Sequence, residues 1–289
     1  MHFTDIPTLG IGLAADVAGA VPNYRKFLPA GGPDSVDYFS FGAHHVQQAR
    51  VEHYLADLVE QHFPMVFHPV NFNPATSEIE EPDVIEGTRS IAEYVSAIWM
   101  GQDVGIWAYR GHYLGPMLIP AILDPASVTE TAAKVRYLQR LMPCPFLIEN
   151  PPVNASLECM HMLDFMRQVS EEADCGIVLD IGHLVGYQQA TGRERWDMPL
   201  EKFPFDRVVE IHIAGLQFSR VGPHLNLIDQ HAYPVHEWCW ELLKVIGPQL
   251  TGLRGLTLEQ EYCEDSLVLQ HLRRARALVE ELGLFSNAH

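Results

Sequence analysis

Lysine and arginine are scarce in this sequence. Nineteen of them stand against 37 aspartates and glutamates, a formal net charge of −18 in 289 residues. Such a balance disfavours a nucleic-acid partner, because phosphate binding needs clustered basic side chains. Long apolar runs are missing as well. The hydrophobic stretches are strand-length and broken by charges or turns, so no membrane-spanning helix is expected. The opening Met1-His2-Phe3-Thr4-Asp5 has no basic segment followed by an apolar one, and no signal peptide is expected. Cysteines are few: Cys144, Cys159, Cys175, Cys239 and Cys263 fall at no CxxC spacing and read as reduced thiols of a cytoplasmic protein. There is no GxGxxG fingerprint, which leaves a dinucleotide-binding open sheet without support. Repeats, low-complexity tracts and a splitting linker are also lacking, so one domain over residues 1–289 is expected, with 284–289 as a frayed tail.

What the chain does have is 47% hydrophobic residues, enough for a sizeable core. Short apolar runs alternate with longer amphipathic ones. The strand candidates are Thr8–Leu13, Val36–Phe41, Met65–Pro69, Val104–Ala108, Pro145–Glu149, Gly176–Asp180, Val208–His212 and Gly255–Glu259. Several are rich in Val, Ile and Phe and carry charge only at the last residue, as strands buried on both faces do. Between them, helical spacing recurs, as in Val51, Leu55, Leu58 and Val59 or in Leu272, Ala275, Leu278 and Val279. Eightfold alternation of strand and helix predicts an α/β fold, a single (β/α)₈ TIM barrel. The longest irregular stretches, Tyr109–Pro125 and Ala214–Asp229, follow strands four and seven, on the side where barrel active sites form.

The informative pattern is where the polar residues fall. Five expected strands end at a potential metal ligand: His68, Glu149, Asp180, His212 and Glu259. Each would stand on the upper rim of the barrel, around one axis. Unpaired charges there would be costly to desolvate, and divalent ions are the simplest way to neutralise them. His183 follows Asp180 in Asp-Ile-Gly-His. Asp229 and His231 form an Asp-Gln-His triplet, whose alternate residues point one way in extended chain. A lone histidine at a strand end is more often a hydrogen-bonded rim residue; eight such residues in one consistent position argue for metal. His44 and His45, after strand two, divide among ligand, supporting and surface roles. His224 and His236 read as ordinary loop and helix residues.

Certain segments occur in a recognisable order: Gly10-Ile11-Gly12-Leu13, Ile148-Glu149-Asn150-Pro151, Val178-Leu179-Asp180, Glu210-Ile211-His212-Ile213-Ala214-Gly215 and Ile228-Asp229-Gln230-His231. In these the chain resembles the multinuclear non-haem iron-dependent oxidases, the family of the methanobactin-biosynthesis enzyme MbnB, within the xylose-isomerase-like barrels. The resemblance implies iron, two or three ions, with zinc or manganese as chemically acceptable substitutes. It implies that Glu149 bridges two ions, that His68 holds the first, that Asp180, His212 and Glu259 complete the second, and that His183, Asp229 and His231 hold the third. Glu149, Asp180 and His212 would carry catalysis. It further implies a cysteine-containing precursor peptide as substrate, oxidised with dioxygen, and a small partner protein that presents the peptide.

The chain departs from the family pattern in places. Where many members carry His-Ala-Glu-Asn after strand two, it has Gly42-Ala43-His44-His45. Where many carry an acid-His pair at the end of strand four, the expected strand reads Gly105-Ile106-Trp107, and His112 is the candidate to complete the first site from the loop. Where many have a further histidine, it has Leu216. Three rival readings stand beside the oxidase. A sugar isomerase or epimerase of xylose-isomerase type has little need of His183, Asp229 and His231. A trinuclear zinc phosphoesterase acting on DNA sits poorly with the charge of −18. A metal-binding scaffold would keep its ions coordinatively closed.

Overall fold

Alternation along each strand decides which side chains enter the middle of this molecule and which face its helices. The computed structural model describes residues 2–15, 17, 23–28, 34–110, 112–114, 118–222 and 224–285. Gly10–Ala14 (β1), Tyr38–Ala43 (β2), Met65–Pro69 (β3), Met100–Asp103 (β4), Phe146–Glu149 (β5), Ile177–Asp180 (β6), Val208–Ala214 (β7) and Gly255–Glu259 (β8) pair in parallel. They close into a barrel in sequence order, with β8 returning to β1. Outward-facing residues such as Phe39, Phe67, Ile148, Leu179, Ile211 and Leu258 join the large cluster packed against the helices. Inward-facing Tyr38, Val66, Leu147 and Val178 form a second cluster with Trp99 and Val209, which Phe3 and Ile6 also join.

Seven α-helices lie among the described residues: Gln48–Glu60 (α1), Pro82–Tyr94 (α2), Pro125–Leu141 (α3), Met162–Ala173 (α4), Ile181–Ala190 (α5), Glu237–Ile246 (α6) and Asp265–Leu282 (α7). Their starts follow the residues. Pro125 opens α3, and the Asp124 carboxylate accepts from Ser127 N at 2.7 Å. The helix α5 follows β6 with no intervening loop, because Asp180 both ends the strand and caps the helix, accepting from His183 N at 2.6 Å. After β1 the described residues hold only a 3₁₀ turn, Tyr24–Phe27, in place of the helix that strict alternation predicts.

Two sequence expectations need correction. The fourth barrel strand is Met100–Asp103, just upstream of the expected Val104–Ala108. Gly101 and Gln102 dilute the apolar signal of the true strand. The more strand-like residues beyond it form antiparallel pairs outside the barrel, Gly105–Ile106 with Ile119–Pro120 and Ala108–Tyr109 with His112–Tyr113. The stretch after β7 is also less irregular than expected. Leu216–Val221 and His224–Asp229 make an antiparallel hairpin, with which α5 is in contact. That cover explains why α5 is buried over Ile181–Gln188. Of the tail expected to fray, 286–289 lie outside the described residues, and Leu284 is buried.

A polar knot lies below the rim, inside the barrel. Glu210 is fully buried, and its carboxylate accepts from Trp99 Nε1 at 2.6 Å, Tyr38 Oη at 3.1 Å and Thr257 Oγ1 at 2.5 Å. Burial and the Glu210 charge hold the Tyr38 hydroxyl well above its ordinary pKa, so it stays a donor. Glycine makes room for the ring: a Cβ at Gly12 would stand 2.4 Å from Tyr38 Cζ. Gly12→Ala is therefore expected to lose roughly 1–3 kcal/mol through overpacking. A thermal melt checks this; an unchanged midpoint would mean that the floor of the barrel yields freely.

Candidate metal centre

Each rim side chain stands two residues above an inward-facing one: His68 over Val66, Asp103 over Gly101, Glu149 over Leu147, Asp180 over Val178, His212 over Glu210 and Glu259 over Thr257. Period-two geometry thus lifts six potential ligands to one level. Glu149 is central. Its Oε2 lies 2.6 Å from His68 Nε2, and its Oε1 lies 3.1 Å from His212 Nδ1. Ligand atoms of Glu149, Asp180, His212 and Glu259 all fall within 4.8 Å of one another, and so do those of His68, Asp103 and Glu149. The two groups share Glu149 alone.

A third group adjoins them. His231 Nε2 lies 3.1 Å and His183 Nε2 3.6 Å from Asp229 Oδ2. His183 Nε2 is also 3.8 Å from Asp180 Oδ2, and His231 Nε2 3.8 Å from Glu259 Oε2, which ties this group to the second. The rings are held from behind. His183 Nδ1 lies 2.8 Å from the Asn150 carbonyl oxygen, and His231 Nδ1 lies 2.8 Å from Glu261 Oε2. Asn150 also exchanges two hydrogen bonds with the backbone of Asp180, at 2.9 and 3.0 Å, clamping β5 to β6 at the rim. Gly215, just past β7, admits the segment that carries His231: a Cβ there would lie 2.0 Å from the Tyr233 carbonyl oxygen and 2.6 Å from that of Gln230.

The structure therefore brings together His68, Glu149, Asp180, His183, His212, Asp229, His231 and Glu259. It does not bring in His112, which sits exposed on a two-residue strand. Asp103 stands beside His68 instead, with Oδ2 3.7 Å from Nε2. The expectation that strand four ends without an acid is overturned with the strand itself: β4 ends in Asp103, and Val104 follows. His44 and His45 meet as a tilted ring pair with centroids 4.2 Å apart, with Tyr113 edge-on to His44 at 4.9 Å; neither belongs to the donor groups above. His236 caps α6, accepting from Trp238 N. The sequence alone gives no role to Asp103 or Glu261, nor to Asn150 beyond its place in a motif. Only Asp103 left a signal, since it too is an acid at a strand end.

Electrostatics make the cluster unstable as a set of bare charges. Burial alone would neutralise every group in it. Against burial, Glu149 and Asp103 carry the His68 imidazole up to about 9. Neighbouring carboxylates, likewise opposing burial, raise His183, His212 and His231 well above the ordinary histidine value. The carboxylates divide. Burial and then Glu149 push Asp103 up to about 7, and burial with Glu259 and Glu149 pushes Asp180 well above its usual range. Glu149 and Glu259, facing imidazoles that outweigh burial, are held low, Glu259 at about 2.

Buried polar atoms ordinarily find partners. Of the described side-chain atoms buried without a hydrogen bond, four belong to this cluster: Asp103 Oδ1, Asp180 Oδ2, His212 Nε2 and Asp229 Oδ1. His212 Nε2 lies 3.4 Å from Glu210 Oε1, outside hydrogen-bonding alignment. Carboxylate and imidazole donors with orphaned atoms fit divalent ions, iron, zinc and manganese among them.

The candidate ligands, Asp180 and His212 excepted, line a cavity of about 310 Å³, together with Val70, Trp107, Tyr113, Pro152 and Tyr262. No lysine or arginine is among its lining residues. Trp107 stacks on Tyr113 with an interplanar angle of 5°. Its backbone is pinned by buried Asn73, whose Oδ1 accepts from Trp107 N at 2.7 Å and Ala108 N at 2.9 Å. Asn73 N donates to Glu80, which pairs with buried Lys134 at 3.0 Å. The aromatic wall is thereby fixed to α3.

Comparison with known proteins places the chain in a family and a fold. The family described as RiPP precursor modification enzyme MbnB/TglH/ChrH matches residues 8–280. A UPF0276 protein of Neisseria meningitidis serogroup C is 26% identical over 208 residues, 71% of this chain and 72% of that one. One from Acaryochloris marina is 25% identical over 255 residues, 85% of this chain and 86% of its own. Among solved structures, a xylose isomerase domain protein from Planctomyces limnophilus superposes with TM-score 0.59 at 14% identity, over 96% of this chain and 99% of that one. A xylose isomerase-like TIM barrel protein from Mycobacterium smegmatis, solved in complex with magnesium, gives 0.53 at 12% identity, over 98% and 99%. At such identities the structures establish the fold alone.

Ions entering the cluster must displace its protons. Because the His68 proton is held up to about 9 and that of Asp103 to about 7, uptake of Zn²⁺ should release more protons at about pH 6 than above pH 9, and affinity should rise with pH between them. Calorimetry in buffers of different ionisation heat measures the release. Equal release at both ends would show that the ligands are already deprotonated.

Proposed function

Since the chain belongs to the MbnB/TglH/ChrH family of RiPP precursor modification enzymes, we propose that it oxidises a cysteine residue of a ribosomally synthesised precursor peptide with iron and dioxygen. The observation that carries this reading is the sharing of Glu149 between two donor groups, with the third group adjoining, all open to one cavity. Bound iron would supply the redox change and a place for dioxygen and a cysteine thiolate to meet.

The remaining work falls to the chain. Glu149 spans the first and second groups, so neighbouring ions would be held at one fixed spacing. His68 and Asp103 complete the first group; Asp180, His212 and Glu259 complete the second; His183, Asp229 and His231 form the third. Glu149, Asp180 and His212 are the residues on which catalysis rests in this reading. The carboxylates offset the ions' charge and repel acidic peptides. Trp107, Tyr113, Val70 and Pro152 exclude water on one side and offer a flat apolar surface to the residues flanking the cysteine. With no lysine or arginine among the described lining to draw a peptide in, presentation by a small partner protein belongs to the proposal. The exposed Tyr109, Ile119 and Ile122, on the segment after β4, offer it apolar contacts.

A sugar isomerase or epimerase would need only Glu149, Asp180, His212 and Glu259, leaving the third group without a role. A phosphoesterase acting on DNA is disfavoured by the net charge of −18 and by a cavity whose described lining holds no lysine or arginine.

Metal content after iron-rich expression, read by elemental mass spectrometry, tests the proposal first. Two or three irons per chain are expected; full occupancy by zinc or manganese with no iron would sink the oxidase reading. Glu149→Gln should empty the first and second groups together, because each loses the same ligand. Trp107→Ala should raise KM for the precursor peptide by about tenfold, the worth of one aromatic contact, with kcat little changed. An unaltered KM would place peptide binding elsewhere.

A further inference from the structure

The loop after β8 holds a carboxylate that the proposed chemistry does not use. Glu261 follows Glu259 by two residues and lines the same cavity. Its Oε2 lies 2.8 Å from His231 Nδ1, while the ring's other nitrogen, Nε2, faces Asp229 Oδ2 at 3.1 Å. The backbone beyond it is bent to the purpose. Tyr262 adopts a left-handed conformation, φ 81°, which L-residues with a side chain avoid. The bend returns Cys263 beneath the same histidine, where its thiol donates to the His231 carbonyl oxygen at 2.9 Å. One short segment thus grips His231 by ring and by backbone.

We propose that Glu261 is a positioning residue for the third ion: it accepts the His231 Nδ1 proton, fixes the tautomer, and aims Nε2 at the position shared with Asp229 and His183. The inference rests on the reading of His183, Asp229 and His231 as an ion-binding group. Its companion ring is held in the same sense by a neutral acceptor, since His183 Nδ1 faces the Asn150 carbonyl and its Nε2 faces Asp229. A carboxylate behind one ring and a carbonyl behind the other leave both imidazoles presenting Nε2. The carboxylate also makes His231 the stronger donor of the two.

The test loads full-length protein with Fe²⁺ anaerobically by equilibrium dialysis and counts ions per chain, with folding checked by circular dichroism. Wild type is expected to bind three ions. Glu261→Ala should bind the third about 10–100-fold more weakly while keeping the other two. Glu261→Gln, whose amide oxygen can still accept from Nδ1, should recover most of that loss. Should the alanine variant melt, Glu261→Met keeps the length of the side chain, lacks the acceptor and answers the same question. Tyr262→Gly, which relieves the left-handed backbone and leaves Glu261 in place, should keep three ions. Three ions bound equally by Glu261→Ala and wild type would overturn the proposal, as would a glutamine variant no better than alanine. A wild type that takes up only two ions would instead remove the third-ion reading, and this inference with it.

Discussion

Everything at the top of this barrel depends on one buried carboxylate. Glu149 meets an imidazole at each oxygen, 2.6 Å from His68 and 3.1 Å from His212, and no lysine or arginine lines the cavity above it. Carboxylates so close together cannot all stay ionised without cations between them. Protons can supply part of the missing charge, as the elevated His68 and Asp103 show. Divalent ions supply it with better geometry, and the orphaned atoms of Asp103, Asp180 and Asp229 lie in the same cluster. The demand for positive charge is thus built into the fold.

Much of this was legible in the sequence, because burial on both faces and a period of two leave few alternatives. An apolar run that ends in one acid or imidazole has only one place to put it. Seven of the eight barrel strands overlap their expected spans for that reason. The fourth did not, because Gly101 and Gln102 look unlike a buried strand. Gly101 is tolerated where a side chain would press on Val178, at 3.0 Å. Because the strand-like signal lies downstream of β4, the sequence points past Asp103, and to His112 for the missing imidazole of the first group. The roles of Asn150 and Glu261 are hidden for a different reason. They act through contacts behind the ligands, and no spacing along the chain encodes which acceptor will face a ring nitrogen.

The rim and the floor of the barrel are joined by β7. Glu210 and His212 point the same way from that strand, one into the knot of Tyr38, Trp99 and Thr257, the other into the ligand cluster. Three strands and the residue just before β4 meet through the knot, so the level at which the rim residues stand is set by packing below them. Glycines at 12 and 255 are part of that arrangement, since each leaves room for the Tyr38 side chain.

The direct passage from β6 into α5 has a consequence of its own. Asp180 gives one oxygen to the start of the helix and keeps the other for the cluster, while His183 leaves from the same first turn. There is no slack there to lengthen, and an inserted residue would separate cap, ligand and helix at once. Diversification of such a protein is therefore channelled elsewhere. The hairpin after β7 has slack only toward its tip, because its second strand ends in Asp229, so added length there would reshape the approach to the cavity and leave the rim residues in place.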